Sequence, residues 1–189
     1  MPSKDLLLHV CCAPCSAGII ETLIDEGRGL TVYFYNPNIH PFEEYERRKA
    51  EIKRFALTKG LPFVDADHDP DKWLKRVKGL ENEKERGKRC QACFDMRLER
   101  AALHAHEHGF KALGTTNGIS RWKDPRQVRQ AGINAVAPYP GLLFLDRDWR
   151  KDKGIEHMLV ASKRENFYRQ KYCGCVFSIP REQEKEKTL

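Results

Sequence analysis

Seven cysteines stand in three short clusters of this 189-residue chain: Cys11-Cys12-Ala-Pro-Cys15, Cys90-Gln-Ala-Cys93 and Cys173-Gly-Cys175. The two Cys-x-x-Cys spacings supply the four thiolates that a zinc ion or an iron–sulfur cluster takes, and spacing alone does not choose between them. Three thiols remain once four are assigned, and that surplus points to chemistry beyond scaffolding. Cys12 and Cys15 form C-x-P-C, the pattern of a thioredoxin-type pair. Cys173 and Cys175 flank a single glycine, so a disulfide between them closes a very small, strained ring. Strained disulfides are labile, and the pair reads as a redox relay, with two more metal ligands as the plainer alternative. Cys11 and Cys12 pose a geometric condition: neighbours on an extended strand point to opposite faces, so either the chain turns sharply there and both reach one centre, or one of them serves a second centre.

The surroundings of these thiols are informative. The first cluster follows an apolar run and opens a helical pattern. The second, in Gly-Lys-Arg-Cys-Gln-Ala-Cys, also lies at a helix start, with Lys88 and Arg89 beside it. Helix N-termini and neighbouring cations both favour thiolates. Asp95, two residues after Cys93, is a further candidate to face a metal. The acidic run from Asp65 to Asp71 reads as a turn and helix cap rather than a cation site, and His9 as a hydrogen-bonded core histidine. His104 and His108 share a helix face without a third ligand, and read as surface residues.

The elements that must carry these residues alternate. Strands are expected at 5–10, 30–36, 62–66, 110–116 and 142–146, with a last one at 175–179 (CVFSI). Helices are expected at 15–27, 41–59, from Pro70, at 91–108, 125–135 and 154–170. In the second of these, Phe42, Tyr45, Ile52, Phe55 and Ala56 form the expected inward face. Such alternation predicts an α/β fold, a Rossmann-like parallel sheet with helices on both faces, in one catalytic domain over 1–180. The working site is then expected beyond the carboxyl ends of the strands, where the first cysteines fall. The charged tail 181–189 is expected to be disordered.

Composition narrows the function classes. The chain has 34 basic and 27 acidic residues, a formal net charge of +7, and is 40% hydrophobic. The basic excess favours a polyanionic partner, with nucleic acid leading. Lys88, Arg89, Arg121 and Lys123 are the candidate contacts closest in character to phosphate-binding groups, and Trp122 suits base stacking. No apolar run is long enough for a membrane span or signal peptide. An odd number of cysteines without a leader argues for a reducing compartment, the cytoplasm. P-loop, dinucleotide-binding and radical-cluster motifs are absent.

Four segments together, LLLHVCCAPCS, FYNPNIHPFEEYERR, RCQACFDMRLERAA and YRQKYCGCVFS, resemble the QueH-type epoxyqueuosine reductase family, over residues 6–178. The chain departs from that pattern at 113–123 (LGTTNGISRWK), where the family usually carries a threonine-rich stretch leading into Ser-Pro. The resemblance implies the last step of queuosine formation in tRNA, reductive removal of the epoxide oxygen at the wobble position, without cobalamin. It implies a [4Fe–4S] cluster on Cys11, Cys12, Cys90 and Cys93, and a redox-active pair at Cys173 and Cys175. A mononuclear iron is a further family feature, with Cys15 and Asp95 as the candidates to help hold it. An external low-potential electron donor is implied as well. The competing readings are a zinc-binding RNA-interaction protein without catalysis, a thiol–disulfide oxidoreductase built on Cys12 and Cys15, and a tRNA sulfur-transfer enzyme.

Overall fold

The computed structural model describes residues 4–179; the tail expected at 181–189 lies outside them. Five strands, β1 (Leu6–Val10), β2 (Leu30–Phe34), β3 (Phe63–Asp65), β4 (Ala112–Thr115) and β5 (Leu143–Phe144), form one parallel sheet in the order β3-β2-β1-β4-β5. Helices α1 (Ala13–Asp25), α2 (Phe42–Thr58), α3 (Pro70–Arg76), α4 (Lys88–Glu107), α5 (Pro125–Val136) and α6 (Gly154–Arg164) make the connections. The expected Rossmann-like α/β fold is the observed one.

The pleat of β1 divides the core. Leu6, Leu8 and Val10 face a layer built from α1, α2 and α6, whereas Leu7 faces α4 and α5. Burial on both faces is why this strand reads as a continuous apolar run instead of an alternation. The backbones of α1 and α6 approach so closely that a Cβ on Gly18 would lie 2.8 Å from the His157 carbonyl carbon.

Three expectations are corrected. Residues 175–179 are not a strand: Val176–Ser178 form a 3-10 turn. Their apolar, β-branched composition suits a strand, but here it packs Phe177 against Trp73 in a small third cluster. Helix α6 ends at Arg164, well short of 170, because Asn166 takes a left-handed conformation (φ +50°) that stops the helix. Phe42 does not join the inward face of α2; it is 57% exposed, while Tyr45, Ile52, Phe55 and Ala56 are buried.

The strand order reverses between β1 and β4, so their connections leave on opposite faces and open a crevice at the carboxyl ends. The chain after β1 carries Cys11 and Cys12, and the chain after β4 carries residues 116–123. Hydrogen bonds hold this end in register. Asn36 Nδ2 donates to the Val10 carbonyl at 2.9 Å, and Trp149 Nε1 donates to the Thr115 carbonyl at 3.0 Å. The Ser16 and Thr116 hydroxyls pair at 2.9 Å, tying the first turn of α1 to the segment after β4.

Candidate metal and redox centre

The sharp turn that two adjacent cysteines require is present. Strand β1 stops at Val10, and Cys12, with an extended backbone (φ −170°, ψ 158°), is the N-cap of α1. The Cys11 and Cys12 sulfurs come within 3.7 Å. Cys15, in the first turn of α1, completes a group of three sulfurs lying within 4.8 Å of one another. Hydrogen bonds from the Cys12 and Cys15 thiols hold Cys11 well below the ordinary thiol value, against burial, and Lys123 and Arg97 add to the effect. Cys15 is correspondingly pushed up to about 12, chiefly by its hydrogen bond to Cys11. Two thiols and two cations thus favour the deprotonated form of Cys11 over that of its neighbours.

The second pair sits at another helix start. Gly87 is the N-cap of α4, Cys90 lies in its first turn, and the Arg86 amide donates to Cys90 Sγ at 3.2 Å. Burial raises Cys90 to about 11 and Cys175 to about 12. Burial also raises Cys173. Such thiols stay protonated until a metal displaces the proton.

Two cavities meet at these sulfurs. The larger, about 520 Å³, is lined by Cys11, Cys12, Cys15 and Cys173, with Arg48, Lys123, Trp122, Ile155, Met158 and Leu159 among its walls. Exposed Arg121, Arg169 and Lys171 also line it. The smaller, about 20 Å³, is lined by Cys90, Cys93, Cys173 and Cys175, again with Lys123 and Trp122. Cys173, Lys123 and Trp122 belong to both walls, so the two cavities adjoin, and each of the seven cysteines lines one or both. The volume of the larger cavity suits a nucleoside-sized ligand.

Cys173 is held there by Arg48, which lies between Arg47 and Lys49 in the sequence. Arg48 is buried, pairs with buried Glu44 at 2.7 Å, and donates from Nη1 to the Cys173 carbonyl at 3.0 Å and from Nη2 to the Tyr172 carbonyl at 3.4 Å. The His40 amide donates to the Gly174 carbonyl at 2.8 Å, and the Tyr172 hydroxyl donates to the His40 carbonyl. Gly174 has φ +115°, and a Cβ there would lie 3.0 Å from Arg48 Nη1, so the position calls for glycine.

Other candidates separate clearly. Lys123, read as a tRNA contact, is buried at 5% exposure with Nζ 3.5 Å from Cys11 Sγ. Burial works against its charge, yet Cys11, Cys173 and Cys15 raise its pKa above the ordinary lysine value. Arg89 is likewise turned inward: Nη1 donates to the carbonyls of Leu80, Glu81 and Glu83 at 3.3, 2.7 and 2.5 Å. At 3% exposure its guanidinium is turned away from the surface where a phosphate would be met. Lys88 and Arg121 are exposed, and the Arg121 guanidinium lies 4.8 Å from the Trp122 ring centroid. Asp95 accepts from Gln91 Nε2 at 2.8 Å and borders neither cysteine cavity. His9 is the core histidine expected: Nε2 donates to the Tyr35 carbonyl at 3.1 Å, Nδ1 accepts from Thr115 Oγ1 at 3.0 Å, and burial beside Arg97 pushes it down to about 3. His104 is half-buried instead of free on the surface, because it packs on the Tyr33 ring; His108 is exposed.

Arg97 went unread in the sequence. It lies one turn after Cys93 on the same face of α4 and is 1% exposed. Nη2 donates to Asn36 Oδ1 at 2.5 Å and to Asn117 Oδ1 at 3.4 Å, both neutral oxygens. Arg97 Nε and Asn117 Nδ2 have no hydrogen-bond partner among the described residues. Among the described residues Glu44 is the only buried acid, and Arg48 takes it. Three buried cations, Lys123, Arg97 and Arg89, therefore lack a carboxylate close to the cysteines. A metal–thiolate group, which brings several negative charges, fits these donors and this charge balance.

The model of the family described as "Epoxyqueuosine reductase QueH" matches residues 6–181. The chain is 54% identical to the epoxyqueuosine reductase QueH of Acinetobacter baylyi, over 92% of this chain and 80% of that protein. The chain belongs to the QueH family. Identity to the QueH of Haemophilus influenzae is 52%, over 92% of this chain and 71% of that protein. Identity to the QueH of Thermotoga maritima is 34%, over 97% and 95% of the two chains. Residues 119–123 form the wall of the larger cavity that supplies Lys123 and Trp122. No helix of the described residues is long and apolar enough to cross a membrane.

Proposed function

We propose that this chain is an epoxyqueuosine reductase that converts epoxyqueuosine to queuosine at the wobble position of tRNA. Membership of the QueH family over nearly the whole chain carries this reading. The net reaction takes up two electrons and two protons, breaks both C–O bonds of the epoxide, and releases the oxygen as water with formation of a C=C bond. The enzyme is an oxidoreductase independent of cobalamin, and works in the cytoplasm.

Cys11, Cys12, Cys90 and Cys93 hold a [4Fe–4S] cluster in this reading, two from each helix start. When bound, the cluster supplies electrons one at a time. Cys15, against Cys11 and Cys12, is the remaining thiol available to a further iron; Asp95 has no comparable support. The cavity of about 520 Å³ takes the modified nucleoside splayed out of the anticodon loop. Its aliphatic wall on α6 and the Trp122 ring exclude water, and Arg121, Arg169, Lys171 and Lys88 meet the flanking phosphates. Cys173 and Cys175 can give up two electrons and two protons on forming a disulfide, which matches the demand of the reaction, and an external low-potential donor restores the thiols.

The rival without catalysis, a zinc-binding RNA-interaction protein, differs in metal content. Brown, anaerobically purified protein with labile sulfide and conversion of epoxyqueuosine in tRNA supports the reductase. Colourless protein holding zinc without conversion supports the rival.

A further inference from the structure

We propose that Lys123 and Arg97 are the fixed counter-charges of the cysteine centre and set its reduction potential. The proposal rests on the cluster assignment above. Four cations are buried among the described residues, and one of them, Arg48, is paired with a carboxylate, Glu44. Arg89 turns Nη1 to three carbonyls, Arg97 turns Nη2 to two amide oxygens, and Lys123 has the Cys11 sulfur as its partner. Lys123 Nζ lies 3.5 Å from Cys11 Sγ and also acts on Cys173 and Cys15. Arg97, held between Asn36 and Asn117, lies one turn after Cys93 on the same face of α4.

The protein invests structure in keeping Lys123 there. Arg150 Nη2 donates to the Ser120 and Lys123 carbonyls at 2.7 and 2.9 Å, and Arg86 Nη2 donates to the Arg121 carbonyl at 2.5 Å. Both clamp the turn that turns Lys123 inward. Each electron that enters a buried centre adds one negative charge to it, so a neighbouring fixed positive charge favours the reduced form. For a unit charge a few ångströms away at an effective dielectric of about 20, the ratio of reduced to oxidised centre changes at least about tenfold.

The test uses anaerobically purified, iron-loaded protein titrated with dithionite and redox mediators, each cluster taking one electron, and followed by electron paramagnetic resonance. Iron and sulfide are quantified for every variant. Lys123→Met keeps the aliphatic stem and removes the charge; its midpoint should move to more negative potential. At the poise where the wild type is half reduced, the reduced-to-oxidised ratio should fall at least about tenfold. Lys123→Arg should recover most of that loss, and Arg97→Met against Arg97→Lys should repeat the pattern. A fully loaded Lys123→Met protein with an unmoved midpoint overturns the counter-charge role. If the neutral variants do not hold iron, retention by the charge-keeping variants supports it, and loss from those too overturns it in favour of packing. A wild-type protein with no iron and sulfide defeats the cluster assignment itself, and the counter-charge role with it.

Discussion

Arg48 offers a sharp test of how the Cys173–Cys175 loop is held. Arg48→Met preserves the stem but removes a guanidinium that is 2% exposed, leaving Glu44, 7% exposed, as an unpaired buried carboxylate. It also frees the carbonyls of Tyr172 and Cys173. Breaking a buried ion pair from one side costs about 3–5 kcal/mol. For a chain of this size that corresponds to a fall in Tm of roughly 6–20 °C. Adding Glu44→Leu removes the stranded charge and should return part of the stability, but not the tether on the loop. Thermal unfolding of proteins with matched metal content reads the first effect. The rate of alkylation of Cys173 by iodoacetamide, located by peptide mass spectrometry, reads the second. It should rise in the single and the double variant alike. A Tm within about 2 °C of wild type in Arg48→Met, or an unchanged alkylation rate, refutes the reasoning.

Cys173→Ser should abolish multiple turnover while leaving the cluster absorbance intact; loss of the absorbance would make that thiol a ligand instead. Asp124 caps α5, its carboxylate accepting from the Arg126 amide at 2.9 Å. Its hydrogen bonds with Arg126 hold its carboxyl below the ordinary aspartate value. Asp124→Ala should cost about 1 kcal/mol at neutral pH by chemical denaturation. A depressed folded pKa stabilises above the unfolded value, near 3.8, and that stability is lost as pH falls through the lower folded value. The difference between Asp124→Ala and wild type should therefore shrink in acid, and a penalty that grows in acid would contradict the cap.

Much of the scaffold was legible because its signals are local. Continuous apolar runs named β1 and β2 as strands buried on both faces, and left-handed Gly27 ends the helix that the pattern led up to it. The adjacency of Cys11 and Cys12 left two alternatives, a turn after Val10 or a second centre, and the structure shows the turn. Signals failed where tertiary context decides. Val176–Ser178 has strand composition but packs Phe177 on Trp73 as a 3-10 turn, and Asn166 stops α6 through a conformation that helical periodicity does not register. Buried cations were the larger miss: Arg48, Arg89, Arg97 and Lys123 look like solvated charges one at a time. Only their partners, a carboxylate, three carbonyls or a set of thiols, justify their burial. For Arg97 a trace existed in its spacing of four and seven residues from Cys93 and Cys90, which puts all three on one helical face.

The reductase assignment itself meets its most direct test in a single reaction. The anaerobically purified protein is incubated with epoxyqueuosine-containing tRNA and a low-potential reductant, and the digested nucleosides are resolved by mass spectrometry. The account predicts replacement of epoxyqueuosine by queuosine, lighter by one oxygen atom, with wild-type protein but not with Cys11→Ala. Unchanged epoxyqueuosine in the presence of an intact, reducible cluster would contradict it.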